Sequence, residues 1–388
     1  MRPLSILHLV SNRWWTGTAE PVLALTQGLL EYRQQVVLGV PAGSQVEDLA
    51  RKAGIPLLEG LRLNPCFHPW SWLQDVAALR TFLRHTRIDV LHTHLSHDHW
   101  LALSAVWPLN PRRRCVPIQV RTVHTLRRPQ ALGIRWQLQH GATHLIAVNM
   151  ATYHDLVETL GISPPRVTAI AGAVDHQRFH PALSGARIRR EFGLGPSAPL
   201  VGIVARLAAS RGHLALLEAF ARVHTAIPAA RLLIVGKGEF RPQLERRTGE
   251  LGLGEAVIFT GYREDDLPDV LAALDVFVLL APGSEGSCRA ALEAMAVGKP
   301  VIAARVGALQ DIVFDGETGL LIEPHAHSAL AHAISRLLRA PEQARQMGLR
   351  GRQRIEHAFS RQRQVEEMLR LYYRLQAAKR SSSTTRNG

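Results

Sequence analysis

Short β-branched runs, each followed by a turn and a longer helical pattern, recur along this chain, and the rhythm restarts once near its middle. In the first half the runs are Ile6–Val10, Val36–Val40, Ile88–His92, Val116–Arg121, Leu145–Val148 and Val167–Ile170. In the second they are Leu200–Val204, Arg231–Val235, Val257–Thr260, Val276–Leu280 and Val301–Ala304. Helical segments such as Val22–Glu31, Leu214–His224 and Asp269–Leu274 separate them. Strands apolar on both faces and separated by helices predict parallel sheets covered on both sides. A length of 388 residues exceeds one ordinary core. The fold class is therefore α/β, with two doubly wound, Rossmann-like domains.

The stretch His180–Pro199 is rich in Pro and Gly and predicts the break, with a short helix Arg187–Phe192 inside it. The domains expected are 1–180 and 181–360, followed by a helix over 361–380, with Gln364–Arg380 its firmest part. The small polar tail 381–388 is expected to be disordered.

Lys and Arg total 46 against 32 acidic residues, a formal net charge of +14. Such a surplus favours anionic partners, although a base-composition bias toward Arg explains it equally well. The three cysteines are scattered, which excludes a disulfide framework and fits a reducing, cytoplasmic setting. The apolar start Ser5–Val10 is too short for a signal peptide, and no run is long enough for a membrane span. Membrane contact, if any, is expected to be peripheral.

In open α/β sheets ligands sit beyond the carboxyl ends of the strands. The stretch after Val276–Leu280 is the richest such place: a Gly-rich loop through Glu285, Gly286 and Ser287 runs into a helix carrying Arg289, Ala290, Ala291 and Glu293. The first amides of a helix have no intrahelical partner and lie at the positive end of its dipole, so a diphosphate fits there. Glu293 is placed for ribose hydroxyls and Glu285 for a sugar.

This segment resembles the E-x7-E signature of retaining glycosyltransferases with the GT-B fold, specifically glycosyltransferase family 4. Four further blocks are similar to that family: Ile203–Leu207 with Arg211-Gly-His213, Leu233–Gly238, Val306-Gly307 with Asp315–Leu321, and Ile170–Asp175 with Phe179. The resemblance implies two domains facing a cleft and a C-terminal helix crossing back to the first. It implies a nucleoside-diphosphate sugar donor on the second domain and a glycan or lipid-linked acceptor hydroxyl on the first, in cell-envelope polysaccharide or lipopolysaccharide synthesis.

Arg206 and Arg211 would flank the diphosphate and neutralise charge on the leaving group. Gly236 and Lys237 would complete the donor site. Gly17 and Thr18 occupy the family's Gly-Gly position and would offer amides to the donor phosphate. His124, in a Thr-x-His pattern after a strand, would position the donor sugar. Trp14, Trp15 and His94 are the acceptor candidates.

No Asp-x-Asp occurs, so no metal bridging the diphosphate and no cofactor are expected. The run His92-Thr-His94-Leu-Ser-His97-Asp98-His99 also reads as a zinc site, but no Cys lies near and the family carries His here facing the cleft. The clusters Arg112–Arg114 and Arg127–Arg128, with Trp107 nearby, suit an anionic membrane surface or a solvated loop.

Two other readings stay open. One is a sugar-nucleotide epimerase of the same fold. The other is a non-catalytic binding protein, kept alive by Ser287-Cys288 where relatives carry Phe-Gly. A nucleic-acid binder is disfavoured because no reading motif occurs.

Overall fold

A computed structural model describes residues 2–14, 18–64, 68–107, 116–124, 132–282 and 288–384. The chain forms two compact units, Met1–Gly172 with Arg361–Gly388, and Ala173–Ser360.

The first unit holds a parallel sheet of β1 (Ser5–Leu9), β2 (Gln35–Gly39), β3 (Leu57–Leu58), β4 (Val90–Thr93), β5 (Ile118–Val123), β6 (His144–Ala147) and β7 (Val167–Ala169). Among the described residues its strand order is β3-β2-β1-β4-β5-β6-β7. The order reverses between β1 and β4, which leaves a crevice at the carboxyl ends of those two strands. β3 is only two residues long, too short for a hydrophobic pattern to reveal.

Alternation along each strand sends Ile6, Val90, Val120 and Ile146 to one face, where they meet Leu25 and Leu29 of the helix Ala19–Glu31. The helix Arg361–Thr384 completes this layer with Val365, Met368, Leu369, Leu371 and Tyr372, all buried. Each such side chain contributes about 1.5–3 kcal/mol by leaving water. The two helices approach closely because residue 28 is glycine: a Cβ there would lie 2.5 Å from Val365 Cγ2. The last helix also continues through Thr384, where composition predicts a disordered tail. Ser381 Oγ donates to the Ala377 carbonyl at 3.1 Å, a bond internal to the helix that tethers its last turn. Residues 385–388 lie outside the described residues.

The second unit holds β8 (Leu200–Val204), β9 (Arg231–Val235), β10 (Val257–Gly261), β11 (Val276–Leu279), β12 (Val301–Ala304) and β13 (Gly319–Ile322). Its order among the described residues is β10-β9-β8-β11-β12-β13, all parallel, with the reversal between β8 and β11.

The division falls at Ala173 rather than at residue 180. Arg352 explains this: its Nη1 donates to the carbonyls of His176, Phe179 and Ala296 at 2.7–2.9 Å, tying the segment after Gly172 into the second unit. The Pro- and Gly-rich stretch after His180 is not a loose linker either. It carries the helix Ala186–Glu191, and Arg189 donates to the Ala273 and Ala198 carbonyls, each at 2.7 Å.

The helix contact at Gly28 yields a test. Gly28→Ala should destabilise the first unit by about 1–3 kcal/mol through overpacking. Val365→Ala should restore part of that loss when combined with it, a non-additivity read from urea unfolding of the four forms. Simple additivity would contradict the contact.

Candidate functional site

The described residues singled out after β8, β9 and β11 follow the carboxyl ends of those strands, and the strand order reverses between β8 and β11. Arg206 follows β8 on an exposed loop and pairs with Glu239 Oε2 at 2.9 Å. Arg211 ends a short turn, Ala209–Arg211, before the helix His213–Ala226, and donates through Nη1 to the Pro282 carbonyl. That bond ties the loop after β8 to the loop after β11. Gly212 takes φ +78°, and a Cβ there would lie 2.7 Å from Leu280 Cβ, so only glycine lets the two loops close on each other.

The loop after β9 is flush against the loop after β8. Leu207 N donates to the Lys237 carbonyl at 3.1 Å and Phe240 N to the Leu207 carbonyl at 3.1 Å. A Cβ on residue 236 would overlap the Ala205 carbonyl oxygen, and Gly236 has φ +147°. The glycine block therefore serves backbone packing between loops as well as any ligand.

Lys237 Nζ sits 5.0 Å from the centre of the Tyr262 ring. Tyr262 follows β10 and is half-exposed. Its hydroxyl is pushed above its usual range by burial and Glu264, and it also feels the charges of Arg289 and Glu293. Arg289 opens the helix Arg289–Ala296, and its Nε donates to Glu293 Oε1 at 2.6 Å. Glu293 and Ala291 are both buried. Cys288, the residue before the helix, takes φ +51°, a left-handed conformation that favours glycine. Two contact pairs, Lys237 with Tyr262 and Arg289 with Glu293, thus lie after β9, β10 and β11, and the charges of the second pair reach the Tyr262 hydroxyl. Tyr262 carries no motif; an aromatic just beyond a strand end was its only signal. Glu285, Gly286 and Ser287 lie outside the described residues.

In the first unit, His94 follows β4 and His124 follows β5, with ring centres 6.1 Å apart. Thr18 precedes the helix Ala19–Glu31, and Trp14 is 72% exposed. Trp15 and Gly17 lie outside the described residues, as do Arg112–Arg114 and Arg127–Arg128. The structure also brings in His8, which the histidine run does not contain. Parallel register sets His8 on β1 directly beside His92 on β4, with ring centres 4.8 Å apart. His8 Nδ1 and His94 Nε2 share a hydrogen bond of 3.0 Å. His92 Nδ1 meets Tyr372 Oη at 2.6 Å and His92 Nε2 meets Thr122 Oγ1 at 2.8 Å. His99 belongs elsewhere, bonded through Nδ1 to Thr93 Oγ1 at 2.8 Å. Asp98 accepts from the Leu95 amide at 2.8 Å.

Burial sets the protonation states here. It drives His8 and His99 down to about 3 and His144 to about 4, and holds His92 and His94 well below the usual imidazole range. It raises Asp98 to about 6.

Residues 15–178 match the family described as "Glycosyltransferase Family 4", and residues 185–354 match "Glycosyl transferases group 1". The D-inositol 3-phosphate glycosyltransferase of Corynebacterium urealyticum is 32% identical over 323 residues, covering 74% of this chain and 75% of that one. The enzyme of the same name from Nocardia farcinica is 32% identical over 308 residues, covering 73% of this chain but only 66% of its own length. The crystal structure of a glycosyltransferase from Rickettsia africae superposes with a TM-score of 0.84 at 18% identity, over 96% of this chain and 98% of that one. The fold is accordingly GT-B.

Gly236→Ala should cost about 1–3 kcal/mol or more, since the Ala205 carbonyl is backbone and cannot swing away. Chemical denaturation would read the loss, and a neutral result would contradict the loop contact. Acid should weaken the first unit. A depressed imidazole contributes stability that is full above about pH 6.5 and fades as pH falls toward its folded value, with a slope of about 1.4 kcal/mol per pH unit each. Five such histidines outweigh Asp98, whose raised carboxyl acts in the opposite sense between about pH 6 and its unfolded value near 3.8. The urea midpoint should fall steeply from pH 7 to 5, and less steeply in His8→Gln; equal midpoints would refute the buried neutral cluster.

Proposed function

The chain belongs to glycosyltransferase family 4, and from that we propose that it transfers a sugar from a nucleoside-diphosphate sugar to an acceptor hydroxyl with retention of configuration. The pairs Lys237–Tyr262 and Arg289–Glu293, coupled by charge at the Tyr262 hydroxyl, are the observation that carries this reading. They gather two cations, an aromatic face and a buried carboxylate after β9, β10 and β11. That combination fits a nucleoside diphosphate: the ring for the base, the carboxylate for ribose hydroxyls, and helix amides for phosphate oxygens.

Arg206 and Arg211 stand on the adjoining loop. Their guanidinium groups suit phosphate oxygens and oppose the charge that develops as the diphosphate departs. For Arg206 this requires exchanging Glu239 for the ligand, an easy step for an exposed pair. The chemistry proposed is same-face attack, in which the leaving phosphate accepts the acceptor's proton. No metal bridge is needed where these cations neutralise the diphosphate.

Acceptor contacts are assigned to the first unit, through Trp14, Trp15 and His94, and His124 is assigned to positioning the donor sugar. A glycan or lipid-linked acceptor in cell-envelope synthesis is the class proposed, and an anionic membrane surface is proposed as its setting. Trp14 and Trp107, 72% and 81% exposed, suit such a partner. The relatives described above carry the name D-inositol 3-phosphate glycosyltransferase.

A thermal-shift screen of nucleoside diphosphates and their sugars tests the donor site. A ligand at 100 times its Kd should stabilise the chain by about 2.7 kcal/mol, and Glu293→Gln and Arg289→Ala should abolish the shift. No response to any of them would sink the reading. Epimerised donor formed without acceptor would replace transfer by isomerisation.

A further inference from the structure

We infer that His8, His92 and His94 form a binding site for a divalent transition-metal cation, wholly within the first unit and separate from the donor site. The set differs from the one the histidine run suggests: His97, Asp98 and His99 drop out, and a residue 84 positions upstream of His92 enters through strand register. His92 and His94 share a face because they are two apart on one strand line.

One ligating nitrogen from each of the three side chains lies within 4.8 Å of the others. His8 Nδ1 and His94 Nε2 are 3.0 Å apart. Two imidazoles on a tetrahedral ion, with bonds of about 2.0–2.1 Å, hold their nitrogens roughly 3.3 Å apart. The pair already meets that spacing, and the widest separation must tighten by roughly 1.5 Å. The rings are 4.3–5.3 Å apart centre to centre.

The surroundings suit this use. His8 and His92 are wholly buried and His94 is 4% exposed, beside a layer built mainly of Ile, Val and Leu with Met368 and Tyr372. Three imidazoles are a costly choice for core packing, and His8 Nε2 and His94 Nδ1 have no hydrogen-bond partner. Neutral rings keep the lone pairs a cation needs. His92 is held by a hydroxyl at each nitrogen, so one can ligate while the other keeps Tyr372 or Thr122 as an orienting partner. All-imidazole donors select zinc, cobalt, nickel or copper over magnesium and calcium.

The test uses the full chain, stripped with a chelator and titrated with Co2+. Visible bands of a low-symmetry, four-coordinate ion should saturate at one equivalent and vanish on adding Zn2+. His8→Gln and His94→Gln should each weaken binding at least tenfold while far-UV circular dichroism shows them folded. Anomalous scattering at the zinc edge, on crystals of the unaltered chain soaked in Zn2+, serves even if those variants fail to fold. A peak about 2.1 Å from one nitrogen of each ring is expected. Unsaturable octahedral spectra, folded variants that bind like the parent, or a zinc peak only at other histidines would overturn the site. Loss of nucleotide binding would not bear on it, since the site does not rest on the transferase reading.

Discussion

A carbonyl oxygen, that of Ala205, occupies the space where residue 236 would carry a side chain. The loop packing at the carboxyl ends of β8 and β9 depends on that missing Cβ. Gly236 and Gly238 let the turn after β9 lie on the turn after β8, and Lys237 then sits over the Tyr262 ring. Gly212 repeats the device between the turns after β8 and β11. Three strand ends are thereby locked into one surface by backbone contact. The cations and the carboxylate on that surface are held before any ligand arrives, so little ordering is left to binding.

The arginine surplus also takes on a different meaning. Many of these side chains face inward as bridges between carbonyl groups. Arg352 binds three, Arg189 spans Ala273, Gly195 and Ala198, Arg166 binds Gln139 and Ala142, and Arg354 binds Asp311 and Ile312. A guanidinium offers five donors in a fixed fork, enough to satisfy several orphaned carbonyls at once. Part of the net charge of +14 is thus a requirement of the fold rather than a sign of an anionic partner.

Much of this was legible in the chain itself, for identifiable reasons. Buried parallel strands are nearly continuous apolar runs, so eleven of them stood out, while the two-residue β3 and β13 inside a motif did not. The Arg289–Glu293 contact is local, since a spacing of four residues on one helix sets it. His8 was not legible, because strand register joins positions far apart in sequence. The stretch after His180 misled because Pro and Gly mark turns whether or not those turns are packed. Arg189 and Arg352, which pack it, lie outside any motif.

The helix Arg361–Thr384 lies last in the chain yet completes the layer that begins with Leu4 and Ile6. The second unit is therefore an insertion within the first. During synthesis the 188 residues from Ala173 to Ser360 must emerge before Tyr372 can reach His92. At about 5–20 residues per second the wait is roughly 10–40 s. Through that interval the apolar face of the first sheet has the helix Ala19–Glu31 but not its second covering helix, whereas the second unit has every strand it needs. The later-made unit can thus close on its own while the amino-terminal sheet still waits for the helix that finishes it.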